Sequence, residues 1–452
     1  MSSELLAYLA AALAWSALIA YAVLGGADYG GGIWDLLATG PERERERQAI
    51  ARAIGPVWEA NNVWIIFVIV VTWTAFPVVY ATVSTALFVP ISLAVIGIVL
   101  RGAAFGFRAH IRSSVVTGKL WGRIFSVASV ITPFFLGTVA GALSSGNIHV
   151  HNGQVAANFW TTWTTPFALA CGAFALALCS VLAATYLTVE AQSAGDMQLV
   201  ADFRARAIIS GAVTAIIGAL AALLAAYEAP ILWAGLIGKA LPISLGAIVI
   251  GLATAGALFI GAYRTARMLV IGEAVCILAA WAVGLAPYLV VPNLTITNAA
   301  SPPITLTYLL VSSAFGLALI LPSLWFLLSV FKGANPMAGG GPSEFYAEED
   351  DESKQESEPH SLGSAVGSAR ETRGMVMADP VDPPAREESG HATGLDRAYD
   401  AIFRWLEPPA RRLGVMLGLA VAFQIGRTLW GRLQEELLRR RLEREPPHPK
   451  RG

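Results

Sequence analysis

Histidine is missing from every long apolar run of this chain. Its six histidines stand at positions 110, 149, 151, 360, 391 and 448, in polar connectors or in the tail. Methionine is nearly as scarce there: Met416 lies well inside an apolar stretch and Met268 opens one. Charge is scarce as well, at 14% of 452 residues, against roughly 25% in soluble domains. The formal net charge of −1 excludes the basic surface that nucleic acid demands. Cysteine occurs at Cys171, Cys179 and Cys276, each in an apolar run and without CxxC or zinc spacing. That leaves small buried hydrophobes. The N-terminus lacks a basic n-region, and its apolar run is longer than a signal-peptide core, so it reads as a retained first span. A haem in the bilayer takes its axial ligands mainly from His or Met. The chain is therefore expected to hold no haem there and to act beside a carrier.

What the sequence has is apolar length. Hydrophobic residues make up 55%, and mean hydropathy is +0.59. A spanning helix needs about 20 mostly apolar residues. Nine stretches qualify: 5–27, 56–76, 80–105, 123–143, 160–187, 206–227, 241–262, 268–290 and 304–331. Helices satisfy their own backbone groups in lipid, and no short alternating segments suggest a membrane barrel. The fold class is an all-α integral membrane protein over residues 1–332. Basic residues alternate between connectors. Arg43, Arg45, Arg47 and Arg52 follow the first stretch; Arg108, Arg112, Lys119 and Arg123 the third; Arg204 and Arg206 the fifth; Arg264 and Arg267 the seventh; Lys332 the ninth. The even connectors hold almost none, Lys239 excepted. The positive-inside rule then places the N-terminus outside and residue 332 in the cytoplasm. PERERERQAIARA, at 41–53, predicts a short surface helix or a solvated salt-bridged turn.

Beyond residue 332 the composition changes. Residues 333–393 are rich in Gly, Ser, Pro and acids, which predicts a disordered cytoplasmic linker. Residues 394–445 form a helical segment. LDRAYDAIFRWLEPP reads as an amphipathic helix that stops at Pro408 and Pro409. LGVMLGLAVAFQIGRTLW, at 413–430, either spans or lies in the interface. Its flanking arginines favour the interface. Residues 446–452 are a tail.

Ionisable groups within spans cost about 2.5–3.5 kcal/mol each at the bilayer centre. Asp28, Glu59, Arg101 and Glu273 are all expected near the cytoplasmic ends of their stretches. Near an interface the cost falls. Arg101 can snorkel, and Glu59 suits the first turn of a helix, where the dipole favours an acid. Together the four suggest a polar inlet for protons or an ion. GGADYGGG, at 25–32, has no strand before it and lacks GxGxxG spacing, so it is no nucleotide loop. It predicts close helix packing or local unwinding around Asp28. HVH at 149–151 offers two histidines and no third ligand, so no metal site is expected. Tryptophans, Trp58 and Trp64 among them, mostly fall near span ends, as interfacial belts do.

Several blocks carry a family resemblance: YAVLGGADYGGGIWDLL, GPVWEANNVW, AFPVVYATV, LRGAAFGFR, TPF, ATYLTVE and PYLVVPNLTITNAASPPITL. In this order, over roughly residues 5–332, the chain resembles subunit II of cytochrome bd-type terminal oxidases. The resemblance implies nine spanning helices, as two four-helix bundles plus one helix. It implies a partner, subunit I, that holds haem b and haem d cofactors, oxidises quinol and reduces dioxygen to water. Subunit II would bind no haem and would sit in a bacterial or archaeal cytoplasmic membrane among lipids and quinone. A small accessory subunit belongs to some such complexes.

By position, Glu59 matches the acid of the family's GPxWDGNxVW block on the proposed proton path. Asp28 matches the second acid of DGFDxG, Arg101 the arginine of LRG, and Trp64 a tryptophan near the proposed oxygen route. Three positions depart from the pattern. Gly25 replaces the first acid of DGFDxG, Gly106 replaces the acid of FEFR or FDFR, and Asn62 stands where Glu or Gln is frequent. The rival reading is a proton- or ion-coupled transporter, since inner-side acids beside a glycine-interrupted helix also suit one. A scaffold with purely structural acids is the third.

Overall fold

The computed structural model describes residues 2–40, 42–54, 58–110, 115–151 and 154–332. The linker, helical segment and tail expected at 333–393, 394–445 and 446–452 lie outside them. The chain opens with α1 (Ser3–Leu37), α2 (Arg43–Ile54), α3 (Trp58–Ala75), α4 (Pro77–Ala86), α5 (Phe88–His110) and α6 (Val115–Ser145). A hairpin of β1 (His149–His151) and β2 (Gln154–Ala156) leads to α7 (Pro166–Ser193), α8 (Met197–Glu228), α9 (Pro230–Ile237), α10 (Leu241–Phe259) and α11 (Tyr263–Leu285). A second hairpin, β3 (Tyr288–Val290) with β4 (Leu294–Thr295), precedes α12 (Pro303–Lys332).

Capping residues set several boundaries. Ser2, Thr165 and Asp196 each accept a hydrogen bond from the backbone N–H three residues on, as N-caps do. Pro166 then occupies the first turn of α7, where its missing N–H costs nothing. Gly195, with φ of +75°, closes α7 and turns the chain into α8.

Every apolar stretch carries helix, but some boundaries move. Seven helices among the described residues are long and apolar enough to cross a membrane, or eight if the bent α3–α4 pair is one span. The chain is thus a multi-pass membrane protein. The third expected stretch, 80–105, begins too early. Pro77 forces Phe76 out of helical geometry, and the two helices meet at a bend of 118°. The helix after the bend starts instead at Phe88, and its apolar run, Phe88–Ala104, is shorter than the seven helices counted as long enough to cross.

Two apolar clusters mark opposite ends of the bundle. At one end Leu6, Ala10, Ala75, Phe76, Ile148, Trp163, Val290 and Leu306 pack together. Here Ser301 N–H donates to Ala75 O at 2.8 Å and Val291 N–H to Leu143 O at 3.2 Å, tying the second hairpin region to α3 and α6. At the other end Trp34, Ile50, Ala191, Phe203, Leu258 and Ala266 pack together. The arginine-rich connectors share this second end. Arg45 reaches Asp196 and Arg206 reaches Glu46, each at 2.6 Å. Arg204 donates to Phe259 O at 2.8 Å. Within the Glu/Arg alternation, Arg43–Ile54 forms α2, whose Arg45, Glu46 and Ile50 meet this end.

The glycine cluster does not unwind: α1 runs unbroken from Ser3 to Leu37. The glycines instead let other helices in. A Cβ at Gly30 would overlap the backbone carbonyl of Cys179 on α7, and one at Gly32 would overlap the Ser129 hydroxyl on α6. Only glycine permits such approach between membrane helices.

Candidate functional site

Tyr21, Asp28 and Asp35 are seven residues apart along α1. At 3.6 residues per turn, that spacing puts them on one side of the helix. Asp28 and Asp35 are buried, at 6% and 4% exposure. Asn61 of α3 uses its side-chain amide twice. One hydrogen goes to Asp28 Oδ2 and the other to Leu24 O at 3.3 Å. The amide is thereby fixed, and the Asp28 carboxyl has a donor that cannot itself titrate.

Arg101 of α5 is 2% exposed. Its Nε donates to Ser129 Oγ at 3.2 Å. Its guanidinium lies 4.6 Å from the Tyr29 ring centroid and 4.9 Å from that of Phe125. Aromatic faces stabilise a desolvated cation by roughly 1–2 kcal/mol each. Nη2 is buried without a hydrogen-bond partner among the described residues. The Tyr29 hydroxyl meets the Tyr21 hydroxyl at 2.9 Å.

Two helical turns from Asp28, Asp35 meets α6 and α2. Ser126 Oγ lies at hydrogen-bonding distance of Asp35 Oδ2 and at 2.9 Å from Gly122 O. Arg47 Nε stands 3.6 Å from Asp35 Oδ1. Arg47 also donates to the Asp35 backbone carbonyl at 3.3 and 3.4 Å. Ser126 and Ser129 are three residues apart on α6, so they share a face. A line of polar groups thus runs beside α1 from Asp35, at the arginine-rich end, past Ser126, Ser129, Arg101 and Tyr29 toward Asp28 and Tyr21.

Asp28 and Arg101 both border this polar line. Glu273 does not fit the expected depth. The helix that holds it begins at Tyr263 rather than 268, and Glu273 is ten residues in, about 15 Å along the axis. It lies mid-helix, with its carboxyl over Gly251 of α10, where an added Cβ would be 2.7 Å from Oε1. Trp58 and Glu59 open α3, but their side chains lie outside the described residues. Trp64 is half-buried on α3, three residues beyond Asn61. No three His, Cys, Asp or Glu side chains among the described residues come together as a metal site.

Sequence reasoning missed Asp35, Arg47, Ser126, Ser129 and the tyrosine pair. The seven-residue recurrence of Tyr21, Asp28 and Asp35 was the available signal. Nothing in the linear sequence placed the two serines opposite it.

A family model described as cytochrome bd terminal oxidase subunit II matches residues 6–331. A putative cytochrome bd menaquinol oxidase subunit II of Bacillus subtilis (strain 168) is 24% identical over 336 residues, covering 72% of this chain and 95% of that protein. A cytochrome bd ubiquinol oxidase subunit 2 of the same strain is 33% identical over 115 residues, 24% of this chain and 34% of that relative's length. The cytochrome bd-I ubiquinol oxidase subunit 2 of Escherichia coli (strain K12) is 26% identical over 213 residues, 46% of this chain and 54% of that protein. The chain thus spans about a third to a half of those last two relatives. A solved bd oxidase from Geobacillus thermodenitrificans shares the fold, with TM-score 0.58 at 21% identity, over 72% of this chain and 98% of that one.

Proposed function

Because the chain belongs to the cytochrome bd terminal oxidase subunit II family, we propose that it is the haem-free subunit of a bd-type oxidase, delivering cytoplasmic protons toward a haem-bearing subunit I. Complexes of this family are quinol:oxygen oxidoreductases. In this reading subunit I oxidises quinol and reduces dioxygen to water, and the dioxygen chemistry belongs to its haems. In this reading the haems are held by the partner, and the histidine distribution supports it. Histidine among the described residues occurs at His110, the last residue of α5, and in β1. The arginine-rich end faces the cytoplasm by the positive-inside rule.

The buried polar line beside α1 carries the proposal. Asp28, Asp35 and Arg101 are each no more than 6% exposed, and burial of charge at such depth persists where it has a use. The groups between them are hydroxyls and an amide that hold or orient a proton. Glu59 stands in the first turn of α3, two residues before Asn61, and takes protons at the same helix. Glu273 holds a proton separately, between α10 and α11. Trp64 and Trp58 serve an oxygen route or packing on α3. The transporter reading loses its main support, since α1 is not interrupted.

The test is Glu59→Gln in the complex purified with its native partner. Turnover of oxygen with quinol is expected to fall by about tenfold or more, as for loss of a proton-transferring group, while haem content stays unchanged. Full turnover in that variant removes Glu59 from the path. A colourless preparation that consumes no oxygen removes the subunit assignment.

A further inference from the structure

We infer that Asp35, gated by Arg47 and relayed by Ser126, is the carboxylate that first accepts protons at the arginine-rich end. This rests on the proton-delivery reading and adds to it residues that the sequence did not single out. Three observations place Asp35 there. It lies one turn or less from the end of α1, while its carboxyl is buried. The group that covers it from outside is Arg47, whose side chain is 27% exposed against 6% for that of Asp35. From the inner side, Ser126 meets it on the face of α6 that also carries Ser129.

The hydroxyl of Ser126 has two acceptors within reach, Asp35 Oδ2 and Gly122 O, and one hydrogen to give. That arrangement serves both protonation states. With Asp35 ionised, Ser126 donates to the carboxylate. With Asp35 protonated, the acid O–H donates to Ser126 Oγ, and the serine hydrogen turns to Gly122 O. A proton taken from water thus neutralises the carboxylate while Ser126 keeps a partner in both states; Arg47 gives up its ion pair with the carboxylate and keeps its bonds to the Asp35 backbone carbonyl. The charge balance is one proton gained by Asp35 and one lost by solvent. Release inward restores the carboxylate and the first serine orientation.

Arg47 also donates to the backbone carbonyl of Asp35. It therefore neutralises the exposed carbonyl end of α1. A purely structural role is the competing account, and the two differ in what repairs them. A structural pair is not repaired by a diffusible acid, whereas a lost proton acceptor is.

The experiment uses the whole complex with its native partner. Asp35→Asn is expected to lower oxygen turnover by about tenfold, with the haem spectrum unchanged. Asp35→Glu is expected to recover most of the rate. Formate or azide, as small weak acids, is expected to accelerate the Asp35→Asn enzyme and leave the wild type unchanged. Full turnover in Asp35→Asn overturns the inference, and so does a slow Asp35→Asn that neither glutamate nor weak acid repairs. Should Asp35→Asn fail to assemble, Ser126→Ala decides: slowed turnover with intact haem supports the relay, and wild-type turnover overturns it. Slow Asp35→Asn beside unaffected Glu59→Gln would keep Asp35 and discard Glu59. A wild-type complex without oxygen turnover would discard the family-based reading itself.

Discussion

Gly30→Ala should prevent stable assembly of the membrane domain, and Gly30→Val should do so more completely. A Cβ at this position overlaps the carbonyl and carbonyl carbon of Cys179, and it would also come 2.6 Å from the Ala183 Cβ. Overpacking usually costs about 1–3 kcal/mol, because side chains can shift rotamer. Here the obstacle is backbone, so α1 and α7 must separate as bodies. The cost should lie at or above the top of that range. Separation also exposes Trp34, one turn further along α1, whose Nε1 donates at 2.9 Å to the carbonyl of Ser180, the residue after Cys179 on α7. Gly256→Ala on α10 is the control, since nothing lies within 4 Å of its Cβ position and alanine is the better helix former by about 1 kcal/mol. The measurement is the yield of monodisperse complex and its thermal midpoint in detergent. A Gly30→Ala complex as stable as Gly256→Ala would disprove the close α1–α7 contact.

How far this was legible depends on the physics that each feature uses. Arginine distribution is a one-dimensional signal, so connectors that share an end were readable before any packing was known. The Arg45–Asp196 and Arg206–Glu46 pairs show that end directly. The alternating Glu and Arg at 41–53 left a surface helix and a salt-bridged turn both open, and α2 is the helix. The bend at Pro77 was not readable from hydropathy, because apolar residues continue on both sides and a sliding average passes through the break. The fate of GGADYGGG depended on what faced it. Unwinding and close packing use the same residues, and only the positions of Cys179 and Ser129 decide between them.

Burial was harder to read than location. Asp35 sits near a helix end, where exposure is the ordinary expectation and an acid needs no special reason. It is buried because α2 folds back over that end, placing Arg47 above it. Glu273 was misplaced for the opposite cause. Arg264 and Arg267 look like connector residues, but they lie inside α11, and Arg267 is 7% exposed with its guanidinium 5.9 Å from the Tyr186 ring centroid. Counting the helix from 268 therefore set the acid too shallow.

Arg101→Met should separate stability from activity. Among the described residues, Arg101 is a buried cation that meets one serine oxygen and two aromatic faces, with one guanidinium nitrogen lacking a partner. A buried charge so sparsely hydrogen-bonded pays a desolvation penalty that these contacts only partly offset. Methionine fills similar volume without that penalty. The thermal midpoint of the complex should therefore stay level or rise. Activity should move the other way. Arg101 is the positive charge nearest Tyr29, Ser129 and Phe125 on the polar line. Without it, oxygen turnover should drop by about tenfold or more, the size of effect expected when a preorganised charge is removed. Arg101→Lys should recover part of the rate, because an ammonium restores the charge but not the planar stacking between two rings. If Arg101→Met lowers stability and turnover together, Arg101 is a packing element and the line beside α1 loses its central charge. If it raises stability at wild-type turnover, protons reach subunit I by another way.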